Sequence, residues 1–446
     1  MDLVNGSVIS TLLLFSGPFI LSTLLQTLYA TVDTIVVGQF LGSAGLSAVS
    51  NGSQIMQLIY MVSIGFINAG QVLLAQSKGA ENQEKLQKVT GTLFLMTLGL
   101  SVLFGVLCLG FSGPMLTLLH TPPEAFDAAK AYIRICGGGM IFTGFYNMFS
   151  AIFRGMGDSR HPLLFVFIAS VINLFLDLIF VATFRWGVAG AAWATIIGQA
   201  ISVIFSIRFF HKHASEYGIR FSAQEIRYDS WSAENMFRIG IPMALQSGAI
   251  QISFLFASGL VNTLGVDASA AFGVSQKLRN LPGIMTQGMR LAVTSMIGQN
   301  LGARKYDRVD RIVRYSMLVC FIINFTFGIV FAAAPLFCFR LFTQDEHVLA
   351  FAAMCMFTLV IELPGRVVMP PCGGLIHAIG HVKLSLTIAF LDAFAGRILL
   401  CWLLGSVMGM GAYGYFLGYA LATYITSVPE IVYYLSGRWR KRQLLV

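Results

Sequence analysis

Apolar runs of about twenty residues, separated by short polar interruptions, organise this chain from end to end. The runs lie near 9–32, 52–76, 89–111, 130–153, 162–183, 188–210, 236–262, 278–298, 313–335, 351–376, 384–405 and 411–435. Each approaches the ~20 apolar residues that a helix needs to cross a bilayer. A membrane-spanning strand would alternate with a period of two, and these runs do not, so the pattern predicts twelve helices.

Composition agrees with that reading. Of the 446 residues, 56% are hydrophobic and 11% charged, with a mean hydropathy of +0.76, whereas soluble domains carry about 25% charged residues. The chain therefore reads as an all-α integral membrane protein. Its net charge of +9 is a matter of topology. Most Lys and Arg fall in alternate connections and the tail: Lys78, Lys85, Lys88, Arg154, Arg160, Lys212, Arg220, Arg227, Arg304, Lys305, Arg308 and the segment Arg438–Arg442. The opposite connections hold only Lys130, Arg134, Arg185, Lys277, Arg279 and Arg340. This asymmetry places both termini in the cytosol, within a plasma (inner) membrane, and gives no nucleic-acid footprint.

Several chemistries find no support. The first apolar run lacks a basic leader, so no cleavable signal peptide is expected. The seven cysteines form no C-x-x-C pair and read as small core residues. His377 and His381 have a zinc-like spacing but no third ligand nearby, and read as helix-end residues. The Asn-x-Ser/Thr triplets at 5–7, 51–53 and 324–326 are chance matches. There is no phosphate-binding loop, so ATP does not drive the protein directly, and no catalytic cluster, so it is not expected to be an enzyme.

The chain is written twice. AQSKGA (75–80) matches GQNLGA (298–303), IFRGMGDSR (152–160) matches LIHAIGHVK (375–383), and LGSAGLSA (41–48) matches LGVDASAA (264–271), all at an offset of 223. At Pro18 and Pro242 the register slips by one. Two halves of six spans each enter the membrane from the same side, which implies lobes related by a pseudo-two-fold along the membrane normal. The lobes are expected at 1–212 and 236–446, joined by the polar segment 213–235 as a cytosolic linker. Parallel repeats of this kind belong to transporters whose substrate path lies between the halves.

VDTIVVGQFLG (32–42), the Gly-Ala pairs after spans two and eight, FRGMGDSRHPL (153–163), NLFLD (173–177) and GVAGAAWAT (187–195) follow one another along the chain. In that order, on that repeat, they resemble the multidrug and toxic compound extrusion (MATE) family over essentially the whole sequence. The resemblance implies an outward-facing, V-shaped twelve-helix fold that exports organic cations and other drugs against a sodium or proton gradient.

Charges inside apolar runs are costly and need a partner or a function. Asp33 lies 24 residues beyond the start of the first run, roughly 36 Å along a helix, and so in the outer half of the bilayer. From its position alone it reads either as a boundary carboxylate or as a functional one; the resemblance implies a central coupling residue. Asn173 and Asp177 share one face of span five, Thr195 adds a hydroxyl from span six, and Tyr132 a phenol from span four. The resemblance places these four with Asp33 in the polar cluster of the N-terminal lobe. Asp33, Asn173, Asp177 and Thr195 are hard oxygen donors that suit sodium. Alternatively, two carboxylates in low dielectric share one proton, and Asn173 with Thr195 act as interhelical hydrogen-bond glue.

Glu362 and Arg366, four apart in span ten, read as a structural ion pair. Some branches of the family carry acids in span seven for sodium; here 241–254 has none. Arg290, Asp392 and Arg397 are further buried charges with no assigned role, and Asp392 and Arg397, five apart, are poorly placed for each other on an α-helix. Pro18 and Pro242 should kink the first helix of each half, and the resemblance implies a hinge that follows the protonation of Asp33. Some of the 19 Met and 37 Phe would give a cleft a deformable surface.

The sequence thus predicts a monomeric antiporter, coupled to H+ or Na+ and needing no cofactor, that exports amphipathic organic cations by rocking two lobes. One alternative is a flippase for lipids or lipid-linked oligosaccharides on the same superfamily fold, for which Arg290, Arg366 and Arg397 speak. A non-transporting receptor or a channel is the other.

Overall fold

The computed structural model describes every residue except His120, Ala223 and 443–446, and every side chain among them except that of Ser43. Twelve long helical segments follow one another: α1 (Val8–Gly42), α2 (Ala44–Gly79), α3 (Gln83–Leu118), α4 (Pro123–Gly138 and Met140–Met156, bent by 52°), α5 (Arg160–Thr183), α6 (Gly187–Tyr217), α7 (Ser230–Asn262), α8 (Val266–Gly302), α9 (Tyr306–Ala333), α10 (Ala352–Ala378), α11 (Val382–Val407) and α12 (Gly411–Leu435). Among the described residues there is no strand. Ten of these segments are long and apolar enough to cross a membrane, counting bent α4 as one. The other two are α8, which carries Asp267, Lys277, Arg279 and Arg290, and α12, whose glycines and tyrosines dilute its hydropathy. The fold is the two-lobed, twelve-helix arrangement that the sequence predicts.

Helix boundaries correct that prediction in two places. The region 33–51, between the first two apolar runs, is helical apart from one break. Val36, Val37 and Phe40 continue the apolar pattern of α1 up to Gly42, whose φ of 65° and ψ of −162° end it, and α2 begins at Ala44. Asp33 therefore sits inside a helix and not at its end. In α8, Lys277 and Arg279 lie within the helix and not in a connection.

The repeat is visible in the backbone. Left-handed residues occur at Gly42 and Gly265, at Glu81 and Arg304, and at Gly157 and Gly380, each pair 223 apart. Each pair ends equivalent helices of the two halves, and Glu81 and Arg304 adopt this conformation without being glycine, a sparsely populated state for other residues.

Two compact units emerge among the described residues, one within 21–244 and the other formed by 2–20 with 245–442. The boundaries fall just after Pro18 and Pro242, both interior to long helices, and 213–235 lies wholly within the first unit. There Gln87 Oε1 accepts from the Arg220 amide at 2.8 Å. Asp229 caps α7, its Oδ2 accepting from the Ser232 amide at 2.9 Å and hydroxyl at 2.7 Å. Partial burial pushes the Asp229 carboxyl up, but the two Ser232 bonds outweigh it and hold the group below its ordinary range.

Each unit has its own core. In the first, Val36, Val37, Ile133, Val181 and Ala192 pack together, and Phe149, Phe153 and Phe210 form an edge-to-face cluster. In the second, Leu12, Phe15, Phe19, Met289, Val293 and Trp439 pack together. Lipid tails are as apolar as leucine, so such close packing and interhelical hydrogen bonds, not exclusion from water, hold the helices to one another. All seven cysteines are buried free thiols.

Candidate functional site

In the first unit, α1, α5 and α6 bring together what the sequence separates. Asp177, 1% exposed, turns its carboxyl group onto that of half-buried Asp33, close enough for the two to share a hydrogen bond. Asn173, one turn earlier on α5, bridges to α6. In one orientation of its amide, Nδ2 donates to Asp177 Oδ2 at 2.9 Å while Oδ1 accepts from the Thr195 amide at 3.0 Å and hydroxyl at 3.3 Å. The Thr195 hydroxyl also reaches the Ala191 carbonyl at 3.1 Å. Thus Asp33, Asn173, Asp177 and Thr195 form one connected set.

Local sequence explains how that set assembles. A Cβ on Gly198 would lie 2.9 Å from the Ala169 carbonyl oxygen and 3.3 Å from Asn173 Cβ. Only glycine lets α5 and α6 approach this closely, and the approach brings Asn173 against Thr195. Immediately after Asp177 the helix widens to a π-turn over Leu178–Thr183, a distortion that recurs at functional sites.

One oxygen on each acid, Asp33 Oδ1 and Asp177 Oδ1, is buried with no hydrogen-bond partner among the described residues. An orphaned buried carboxylate oxygen costs free energy. Two orphaned oxygens on neighbouring acids, with an amide and a hydroxyl in the same connected set, fit a small hard cation or a proton. No group of three or more His, Cys, Asp or Glu that would suit a transition metal occurs among the described residues.

Beside this set opens a cavity of about 310 Å³, lined by Tyr29, Tyr132, Asn173 and Thr195 and extending to Tyr60, Tyr146, Met56 and Met140. Its walls carry no ionised side chain. Tyr132 is buried in the wall, beside Cys136 and within electrostatic reach of Asp33. Gly52 makes room for it, since a Cβ there would lie 2.7 Å from Tyr132 Cδ1. One lining residue, and one cation within electrostatic reach of Tyr60 and Tyr146, were not singled out from sequence. Tyr29, in the cavity wall beside Thr195, precedes Asp33 by four residues, and that spacing was the available signal. Arg154, counted with the loop charges, lies in the last turn of α4 and donates through Nε to Gln71 Oε1 at 2.8 Å.

The second unit holds a different cluster. Glu362 pairs with Arg366 at 2.6 Å, as its spacing implied, and also with Arg279 at 2.7 Å. Asp392 and Arg397 do meet, at 3.1 Å, contrary to the expectation from α-helical spacing. Residues 391–400 are wound as a π-helix, whose i→i+5 bonding brings residues five apart into line. Arg397 Nη1 donates to the Tyr419 hydroxyl at 2.7 Å, and the guanidinium groups of Arg279 and Arg397 lie over the Tyr419 ring at 4.3 and 4.8 Å. Arg290 lies within electrostatic reach of Glu430, an acid on α12 that sequence reading passed over. His377 meets the Ser385 hydroxyl at 3.2 Å, and His381 caps α11.

The MatE family profile matches residues 18–179 and again 242–403, so each half carries its own copy. The chain belongs to the MATE family of multidrug efflux transporters. A probable multidrug resistance protein of Bacillus subtilis, YpnP, is 28% identical over 99% of this chain and 98% of its own length. The probable multidrug resistance protein NorM of Thermotoga maritima is 22% identical over 94% of this chain and 91% of its own. Among solved structures, an outward-facing MATE transporter superposes with a TM-score of 0.90 at 22% identity, covering 98% of this chain and 97% of that one. A superfamily member from Pyrococcus furiosus, described by the reverse polarity of its binding pocket, gives 0.89 at 22% identity, over 99% and 98%. Both likenesses bear on the fold. Members of the MATE family are membrane transporters, so small molecules are the substrates to consider for the polar set and cavity of the first unit.

Proposed function

We propose that this MATE-family chain is an antiporter that exports amphipathic organic cations in exchange for a proton or a sodium ion bound at Asp33 and Asp177. The contact between these two carboxyl groups carries the reading. Two acids that meet in a dry site hold one positive charge between them, either a proton or a metal cation, and repel each other when it leaves. Asn173 and Thr195 supply neutral oxygen donors at the same place. The tyrosines of the adjoining cavity offer π faces suited to an organic cation, and Met56 and Met140 offer deformable walls.

In this scheme the coupling cation and the drug occupy neighbouring parts of one lobe, and occupancy of the acid pair changes the shape of α1. Pro18 lies on that helix, where the missing amide makes bending inexpensive, and Pro242 occupies the matching place in α7. Rocking of two six-helix lobes then alternates access, with the chain acting as a monomer in the plasma membrane and both termini in the cytosol.

A flippase for phosphate-bearing lipids is the second reading, favoured by Arg279, Arg366 and Arg397 in the second unit. Glu362 and Asp392 already neutralise much of that charge, which leaves the exporter as the stronger account. Cells expressing the chain should expel ethidium, and efflux should stop when either the proton or the sodium gradient is collapsed with a selective ionophore. Efflux that survives the loss of both gradients contradicts the coupling.

A further inference from the structure

Where α8 ends and α9 begins, the second unit carries an open cavity of about 570 Å³ walled by Arg304, Lys305, Arg308, Arg311 and Arg440, with Asp307 as the one acid in its lining. Asp2 lies within electrostatic reach of Lys305 and Arg308, so five cations face two acids, still a charge surplus, and the cavity has an organised floor. Arg308 is 7% exposed. Its Nη1 donates to the Gly6 carbonyl at 2.6 Å and its Nη2 to that of Asn5 at 2.7 Å. These bonds leave its Nε buried without a partner among the described residues. Lys305 Nζ donates to Asn5 Oδ1 at 2.7 Å. The chain turns sharply at Arg304, with φ of +57°, directly before the start of α9, where the Lys305 carbonyl accepts from the Arg308 amide at 3.0 Å. A guanidinium N–H with no acceptor among the described residues, the start of α9 and three further arginines thus border one space.

We propose that this basic cradle binds a phosphate group, as borne by an anionic phospholipid headgroup or by a free phosphate. Arginine forks match phosphate oxygens, a helix N-terminus favours negative charge, and basic pockets at the ends of membrane helices suit anionic headgroups. Arg304 and Arg311 are exposed and make no ion pair among the described residues, while Arg440 pairs only loosely with Asp307, at 3.3 Å. These three are free to close on a bound anion. Arg308 and Lys305 hold residues 4–6 in place and so fix the floor.

Native mass spectrometry of the purified full-length chain tests the proposal, with phosphatidylglycerol and phosphatidylcholine offered in equal amounts. The unmodified protein should retain phosphatidylglycerol preferentially. The triple variant Arg304→Gln, Arg311→Gln, Arg440→Gln should lose at least about tenfold of that preference, since each basic residue near a charged surface adds to the attraction. The matching triple Lys variant keeps the charge and should keep most of the preference, which separates a binding defect from misfolding. Inorganic phosphate forms the second arm. If millimolar phosphate displaces the lipid, the site recognises the phosphate itself; if it does not, the lipid headgroup is the ligand. Equal retention of the two lipids by the unmodified protein, or an unchanged preference in the Gln variant, overturns the proposal.

Discussion

Asp33 and Asp177 stand on helices that are far apart in sequence, yet their carboxyl groups meet, and each keeps one buried oxygen without a partner among the described residues. Groups that act as one unit show strong non-additivity: once one is disabled, loss of the next costs little. Asp33→Asn and Asp177→Asn should each abolish most drug resistance in cells, and the double variant should be scarcely worse. Asn173→Ala and Thr195→Ala should be milder, because each removes a neutral ligand and leaves both charges. Growth in graded ethidium, with protein level checked by immunoblot, reads the outcome. A double variant whose defect is the product of two partial defects would place the acids in separate roles.

Close approach of α5 and α6 rests on Gly198. In Gly198→Ala the new methyl would meet a backbone carbonyl at 2.9 Å, and overpacking of this kind costs about 1–3 kcal/mol. The helices must part, moving Thr195 away from Asn173. Melting of the purified protein should fall by several degrees, and export should weaken although both carboxylates remain. An unchanged melting temperature with unchanged export would show that the contact is slack.

Glu362 is the hub of the second unit's charges, since Arg279 and Arg366 both pair with it. Glu362→Ala leaves the buried Arg279 guanidinium and the half-buried one of Arg366 without this acid, and breaking a buried pair costs about 3–5 kcal/mol. The expected result is a large loss of folded protein. Replacing Arg366 as well should recover part of it, as measured by detergent-solubilised yield and melting. If the single variant is as stable as the parent, water reaches this cluster and the charges are not truly buried.

Much of the fold was legible in the sequence, because a bilayer dictates span length and the 223-residue repeat dictates two equivalent halves. Asn173 and Asp177 were legible from their spacing on one helix face. Their meeting with Asp33 was not, since periodicity describes a single helix and says nothing of which helices become neighbours; only the family resemblance suggested it. Asp392 and Arg397 were misjudged because a 3.6-residue period was assumed where the helix is π-wound. Arg279 was assigned to a connection because α8 begins well before its apolar run does. Tyr29 lay in plain sight four residues before Asp33, masked by the apolar residues around it.

The proposed topology has its own test. Ser215→Cys and Thr263→Cys, placed singly in a background without the native cysteines, should react with an impermeant maleimide from opposite sides of the membrane, Thr263→Cys from outside. Both positions are exposed. Labelling of both from the same face contradicts the orientation read from the Lys and Arg distribution.

The coupling role of the acid pair is tested most directly in proteoliposomes of purified protein, with a proton or a sodium gradient imposed separately and ethidium accumulation followed by fluorescence. The unmodified protein should accumulate dye under one of the two gradients and not without it. Asp33→Asn and Asp177→Asn, reconstituted at equal density, should accumulate none under either. Gradient-driven accumulation by Asp33→Asn at the rate of the unmodified protein contradicts the account.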